Sequence, residues 1–210
     1  MEITYLGHSC MKLVHNGFAL ILDPYQNNAV PGLMRLEQTA NQVLCSHDHF
    51  DHNAVDEVKF SQARVDTPFR VDGIMTFHDD QEGALRGNNI IHIIEVDNLK
   101  VVHMGDIGCM ISDEDIERIE GCDILMIPVG GFYTIDAQMA KEYCKKINPK
   151  MIIPIHYRGE GFGYDVIAPV DDFIKLWDES KVVREGSTIT ITNKPEGGRV
   201  VIMKPLKARI

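Results

Sequence analysis

Ser46-His47-Asp48-His49-Phe50-Asp51-His52 places three imidazoles and two carboxylates within six residues, in the pattern His-x-His-x-Asp-His. Imidazole and carboxylate together suit Zn, Mn or Fe, and a cluster this dense supplies ligands for more than one ion. The run before it, Asn41-Gln-Val-Leu-Cys45, reads as a short buried strand that delivers the cluster at its end. The carboxyl end of a rigid strand is where a ligand set can be held in fixed geometry. The alternative, a polar surface loop rich in histidine, does not account for that strand.

Working outward, three more runs end on a ligand-type residue: His78 after residues 73–77, Asp106 after residues 99–104, and His156 after residues 151–155. In His103-Met104-Gly105-Asp106 the glycine lets the backbone turn sharply, so that the aspartate points back across the strand end. His92 and His103 are rivals to His78 as ligands. His92 lies mid-strand among isoleucines and reads as a core histidine, while His103, just before the Gly-Asp turn, reads as a partner that orients a ligand. His15, beside Asn16-Gly17, reads as a solvated hairpin residue.

The remaining elements frame these positions. Residues 2–6, 10–15 and 18–22 read as a β-meander, with Asn16-Gly17 as a hairpin turn and Asp23-Pro24 as the stop. Residues 25–41 read as a loop, with Leu33 and Met34 exposed, and either a lid or a poorly ordered surface segment. Residues 54–57 suggest a helical turn. Residues 89–96 and 99–104 form a strand pair. Residues 112–120 form a helix with Ser112 as N-cap and Asp115 in the capping-box position. A buried strand at 123–129, a helix at 136–147 ended by Asn148-Pro149, a helix at 169–177 and strands at 188–192 and 199–203 complete the chain. Strands in runs, then alternating with helices, imply two sheets with helices outside them, a layered α/β sandwich.

At 210 residues, 44% hydrophobic and 25% charged, the composition is that of a globular protein, and we expect one domain over residues 1–210. No apolar run approaches the ~20 residues that span a bilayer. The chain opens directly on a strand pattern, so no secretory leader is expected. The five cysteines are widely spaced, with no C-x-x-C pair, and read as core residues rather than a disulfide framework. A cytoplasmic location is expected. The net charge of -10 disfavours nucleic acid as a partner, although bound divalent ions would still admit a phosphate-bearing substrate.

Leu6-Gly7-His8-Ser9, Ile21-Leu22-Asp23-Pro24, the Ser46–His52 cluster, Phe77-His78-Asp79, His103-Met104-Gly105-Asp106, Ile127-Pro128-Val129-Gly130-Gly131 and Pro154-Ile155-His156-Tyr157 occur in this order along nearly the whole chain. With these pieces the sequence resembles the metallo-β-lactamase fold superfamily. It is especially similar to the branch of predicted Zn-dependent hydrolases that includes ascorbate-6-phosphate lactonase and the N-acylphosphatidylethanolamine phospholipase D type. The resemblance implies a four-layer αββα sandwich of the metallo-β-lactamase type and two divalent metal ions, zinc first, with Mn or Fe as alternatives. It implies that His47, His49 and His78 hold one ion, that Asp51, His52 and His156 hold the other, and that Asp106 bridges them. A hydroxide between the ions would be the nucleophile.

The resemblance assigns Asp51, Asp106 and His8 to catalysis, Asp51 by orienting that hydroxide and His8 by facing the metals and contacting substrate or stabilising the oxyanion. His8 as a plain turn residue is the other reading. Asp23 reads as a support for a ligand histidine or for the loop. Tyr133 and Thr134 either line the pocket or pack the loop, and Arg158 is either a clamp for a carboxylate or phosphate or a surface arginine. The expected activity is hydrolysis of a small-molecule ester, lactone or phosphoester, on a substrate that is phosphorylated or carboxylated. The alternatives are a phosphodiesterase or nuclease acting on nucleotides, and a non-catalytic metal-binding protein. A homo-oligomer is compatible with the apolar residues of the 25–41 loop.

Overall fold

The computed structural model describes residues 1–206. The meander forms as its turns dictate: β1 (Glu2–Gly7), β2 (Cys10–His15) and β3 (Phe18–Leu22) are antiparallel neighbours. Asn16 and Gly17 both take positive φ, as the tight hairpin turn requires. Along these strands Ile3, Tyr5, Met11, Leu13 and Leu20 are buried, while Glu2, Thr4, Lys12 and Val14 remain at least partly exposed. This period of two gives the sheet one core face and one wetter face.

β4 (Gln38–Ala40) and β5 (Gln42–Leu44) come next, then β6 (Val58–Phe60), β7 (Arg70–Phe77), β8 (Asn88–Val96) and β9 (Leu99–His103). α1 (Asp113–Ile119), β10 (Ile124–Pro128), α2 (Ala137–Ile147), β11 (Met151–Ile155), α3 (Val170–Ile174), β12 (Val182–Arg184), β13 (Thr188–Thr190) and β14 (Arg199–Ile202) complete the order. One sheet runs β13-β1-β2-β3-β5 and the other β12-β14-β11-β10-β9-β8-β7, with β4 and β6 as a small parallel pair. β10 is buried at every position, and four of five residues of β11 are buried. Central strands covered on both faces read as continuous apolar runs for this reason.

The helices follow their caps. The Ser112 hydroxyl accepts the Asp115 N–H and donates to the Asp115 carboxylate, and the Asp136 carboxylate accepts the Met139 N–H. α2 buries Ala140, Tyr143, Cys144 and Ile147, a stripe at helical spacing, and ends on Asn148 at φ 51°. The three helices pack together, with α2 lying on β10. The α/β class of the metallo-β-lactamase type is therefore realised as two sheets sharing a core, with the helices against the larger one.

Three expectations change. β5 spans only Gln42–Leu44 and is half-buried, because it is the last strand of its sheet. The 25–41 segment is packed, not a lid or a loose surface loop. Tyr25, Val30, Leu33 and Leu36 are buried, and the Tyr25 hydroxyl, which can donate to only one acceptor at a time, reaches the carbonyls of Leu6 and Met34. Leu33, expected at the surface, fills the space over Gly7. The helix at 169–177 is regular only over Val170–Ile174. Beyond it the N–H groups of Leu176 and Trp177 bond three residues back, to Phe173 and Ile174.

Strand direction decides where the polar residues gather. β1, β3 and β5 run the same way in one sheet, and β7, β9, β10 and β11 run the same way in the other. Their carboxyl ends therefore lie along one edge of each sheet, and most of them hand over to a ligand-type residue.

Candidate metal centre

His8 follows β1, Asp23 follows β3, the 46–52 cluster follows β5, His78 follows β7, Asp106 follows β9 and His156 follows β11. The two sheet edges meet at these residues. The His156 N–H donates to the His8 carbonyl at 3.0 Å, and the Tyr5 hydroxyl donates to the same oxygen at 3.0 Å. His8, Asp23 and His156 sit at φ 56°, 46° and 49°, a left-handed backbone that costs a side-chain-bearing residue energy and persists where the surroundings enforce it. Gly105, at φ 57°, brings its backbone so close to Asn89 and Ser46 that a Cβ would lie 2.3 Å from Asn89 Oδ1. Gly130 abuts the His156 carbonyl in the same manner.

Three groups of ligand atoms result, each compact enough for one ion: His47, His49 and His78; His8, Asp51, His52 and His156; and Asp23, His47 and His52, the last tied together by hydrogen bonds through Asp23. Asp106 faces the first two. Its Oδ2 lies 2.9 Å from His156 Nε2, 3.2 Å from His52 Nε2 and 3.6 Å from His78 Nε2. Ser9 Oγ donates to its other oxygen at 3.3 Å, and its backbone N–H donates to Asn89 Oδ1 at 2.9 Å. Asp51 Oδ2 lies 3.3 Å from His8 Nε2 and accepts the Tyr164 hydroxyl at 3.3 Å.

Asp23 sets the tautomers. The Ser46 hydroxyl is 2.6 Å from Asp23 Oδ2, and an ionised carboxylate can only accept, so the hydroxyl donates there. His47 Nδ1, 2.9 Å from the same hydroxyl oxygen, must then be its donor. His52 Nδ1 likewise donates to Asp23 Oδ2 at 2.9 Å. Both rings are left with Nε2 turned toward the site, which is the arrangement a metal-binding histidine needs. His47 Nε2 and His52 Nε2, the two nitrogens so aimed, are buried without a hydrogen-bond partner among the described residues. Unpaired buried polar atoms are costly, and a bound cation would meet a free ring lone pair in such a place. The donor set of imidazoles and carboxylates fits Zn, Mn or Fe.

The electrostatics differ from ring to ring. Burial, reinforced by the charge of His52, pushes His47 down to about 3, so the ring is neutral at pH 7 with its lone pair free. Burial and His156 push His8 down to about 4 despite Asp51. Burial alone would lower His52, but the carboxylates of Asp106 and Asp23 raise it well above the ordinary histidine value. Burial would raise Asp106, yet His156 and His52 hold it well below the carboxylate range.

Other positions fall outside the centre. His103 bonds the Ser9 carbonyl through Nε2 and accepts the Gly105 N–H, and His92 bonds the Cys45 carbonyl. Both therefore brace the site from behind. His15 pairs with Asp97 at the far hairpin. The cleft over the centre is lined by His49, Phe50, Asp51, His78, Arg86, Asp106, Tyr133, His156 and Tyr164. Arg158 does not line it but lies in a separate depression with Glu160, Asp171 and Arg184, which corrects its reading as a clamp. Thr134 turns its hydroxyl to the Ile135 carbonyl instead. Tyr164, Arg86 and Asn89 carry no signal in the sequence, because nothing in their neighbourhoods distinguishes them. Ser9 was within reach, adjoining His8.

Residues 2–156 match the model of the β-lactamase superfamily domain family. The chain is 25% identical over 185 residues to the UPF0173 metal-dependent hydrolase of Natranaerobius thermophilus, covering 75% of this chain and 83% of that one. It is 27% identical over 192 residues to the protein of the same description from Carboxydothermus hydrogenoformans, covering 75% and 84%. A crystal structure from Thermotoga maritima, assigned as a Zn-dependent hydrolase of the metallo-β-lactamase superfamily, superposes with a TM-score of 0.77 at 34% identity, covering 96% of this chain and 97% of that one. A metallo hydrolase from Ignicoccus hospitalis shares the fold, with a TM-score of 0.62 at 19% identity over 83% and 89% of the two chains.

Proposed function

The chain belongs to the β-lactamase superfamily domain family and is a metal-dependent hydrolase, and from that premise we propose that it uses two divalent ions, zinc first among them, on a small-molecule ester, lactone or phosphoester. The observation that carries the proposal is Asp106, one carboxylate within 3.6 Å of histidines from the first two ligand groups. His47, His49 and His78 would hold one ion and Asp51, His52 and His156 the other, with Asp106 between them. Two divalent ions in such a site supply Lewis acidity and bring the pKa of water toward ~7. The assignment of the Thermotoga maritima relative as Zn-dependent supports zinc.

The chain's own residues do the rest. Asp51 Oδ2 accepts from Tyr164 and lies against His8, so it is fixed to receive a proton or orient an attacking water at that atom. Burial and the negative charge of Asp51 raise Tyr164, which keeps it a phenol and a hydrogen-bond donor toward the cleft. His8, neutral at pH 7, stands behind Asp51 and steadies it. Tyr133 and Phe50 line the cleft and give it an apolar wall beside the polar residues. Residues 1–210 would act as one hydrolase domain, since both sheets contribute to the site. The absence of disulfides among the five cysteines fits a reducing compartment such as the cytoplasm.

A screen of metal-reconstituted protein against lactones, phosphodiesters and thioesters identifies the working probe. On that probe Asp106→Ala should lower turnover by about 1,000-fold, equivalent to about 4 kcal/mol of transition-state stabilisation, with the circular dichroism spectrum retained. Unchanged turnover would remove Asp106 from the bridging position.

A further inference from the structure

Arg86 is the one arginine or lysine lining the cleft among the described residues, and none of their carboxylates lies within ion-pair distance of it. In a chain of net charge -10 an arginine without a carboxylate beside a catalytic cleft calls for an explanation. Its guanidinium carbon stands 5.7 Å from the centre of the Tyr133 ring, and the Tyr133 ring lies 6.5 Å from that of His156. One of its nitrogens donates to the Phe132 carbonyl at 3.3 Å, which fixes the plane of the fork and leaves other N–H groups to donate.

The loop that presents Arg86 is built around one carboxylate. Asp79 is only 2% exposed and accepts the backbone N–H groups of Gln81 and Gly83 on one oxygen and of Leu85 and Arg86 on the other. Four bonds to one side chain hold residues 79–86 as a rigid turn, anchored beside His78. The surface around Arg86 is apolar: Phe50, Leu85 and Phe132 are 58%, 67% and 64% exposed.

We propose that Arg86 is the specificity residue of this hydrolase, binding an anionic oxygen group on the substrate, carboxylate or phosphate, next to an apolar portion that rests on Tyr133 and its neighbours. A planar fork suits such groups bidentately, and the flanking rings accept the apolar part. This rests on the hydrolase reading for its substrate, but the binding is testable apart from turnover.

Naphthalene-2-sulfonate and the uncharged N,N-dimethylnaphthalene-2-sulfonamide, titrated calorimetrically into metal-loaded protein, make a matched pair whose heads are weak metal ligands. The sulfonate should bind the wild type about tenfold or more tightly than the sulfonamide. Arg86→Ala should erase that preference and leave sulfonamide affinity within about twofold, while Arg86→Lys should retain part of it. No measurable sulfonate binding, equal affinity for the two compounds, or a preference that survives Arg86→Ala would overturn the proposal. If the preference behaves as expected while every ester, lactone and phosphoester goes uncleaved, Arg86 keeps its role and the substrate reading falls.

Discussion

Asp23 controls the centre without touching an ion in the proposed arrangement. It reaches His47 through the Ser46 hydroxyl and His52 directly, so one buried carboxylate orients a ring in each half of the site. Asparagine at this position offers a single acceptor oxygen in place of two, so the support of at least one ring is weakened. Asp23→Asn should weaken metal affinity by about 10- to 100-fold, the range for such supporting carboxylates. Competition with a fluorescent chelator measures it, and wild-type affinity in the variant would refute the tautomer assignment. The same residues show how far reading at this scale extends. His47, His49, Asp51, His52, His78, Asp106 and His156 stand out because ligand types at strand ends are chemically unusual. Arg158 and Arg86 cannot be ranked that way. Each is an arginine in a glycine-containing loop, and only the three-dimensional path of the chain puts Arg86 in the cleft and Arg158 outside it.

Elements with a full period or a cap are legible in the sequence; of the three-residue strands β5 and β13 are legible, but the rest are not. The meander, β7 to β11, α1 and α2 each carry alternation, a continuous apolar run, a helical stripe or a capping pair. β4, β6 and β12 have three residues each, too few to display a period, and form because tertiary neighbours supply their partners. The 25–41 segment resists such reading for a related reason. Its apolar residues are irregularly spaced, and their burial depends on a distant loop. Pro31 accepts the Gly163 N–H, the Tyr164 hydroxyl that donates to Asp51 lies 3.2 Å from the Ala29 carbonyl, and a Cβ on Gly32 would lie 1.7 Å from the Gly161 carbonyl oxygen. Gly32 also holds φ 77°. Gly32→Ala should therefore cost about 2–3 kcal/mol, by strain and by parting the loop that carries Tyr164 from its support. A urea titration should show a lower midpoint with unchanged slope. A midpoint equal to the wild type would mean that this contact is easily given up.

At the scale of the molecule, two sheets aim the carboxyl ends of six strands at one place, and the cost of doing so is visible there. Three site residues hold left-handed backbone, and several buried ring nitrogens lack partners among the described residues. A fold that concentrates unpaired polar atoms and strain at one edge gains stability from whatever cation occupies it, through mass action on the native state. The central claim is that the edge holds two ions, divided between His47, His49 and His78 on one side and Asp51, His52 and His156 on the other. Metal content per chain after reconstitution and desalting, determined by inductively coupled plasma mass spectrometry, tests it most directly. The account predicts two divalent ions per wild-type chain and one per chain when His47 and His49 are both replaced by alanine. One ion or none in the folded wild type would contradict it.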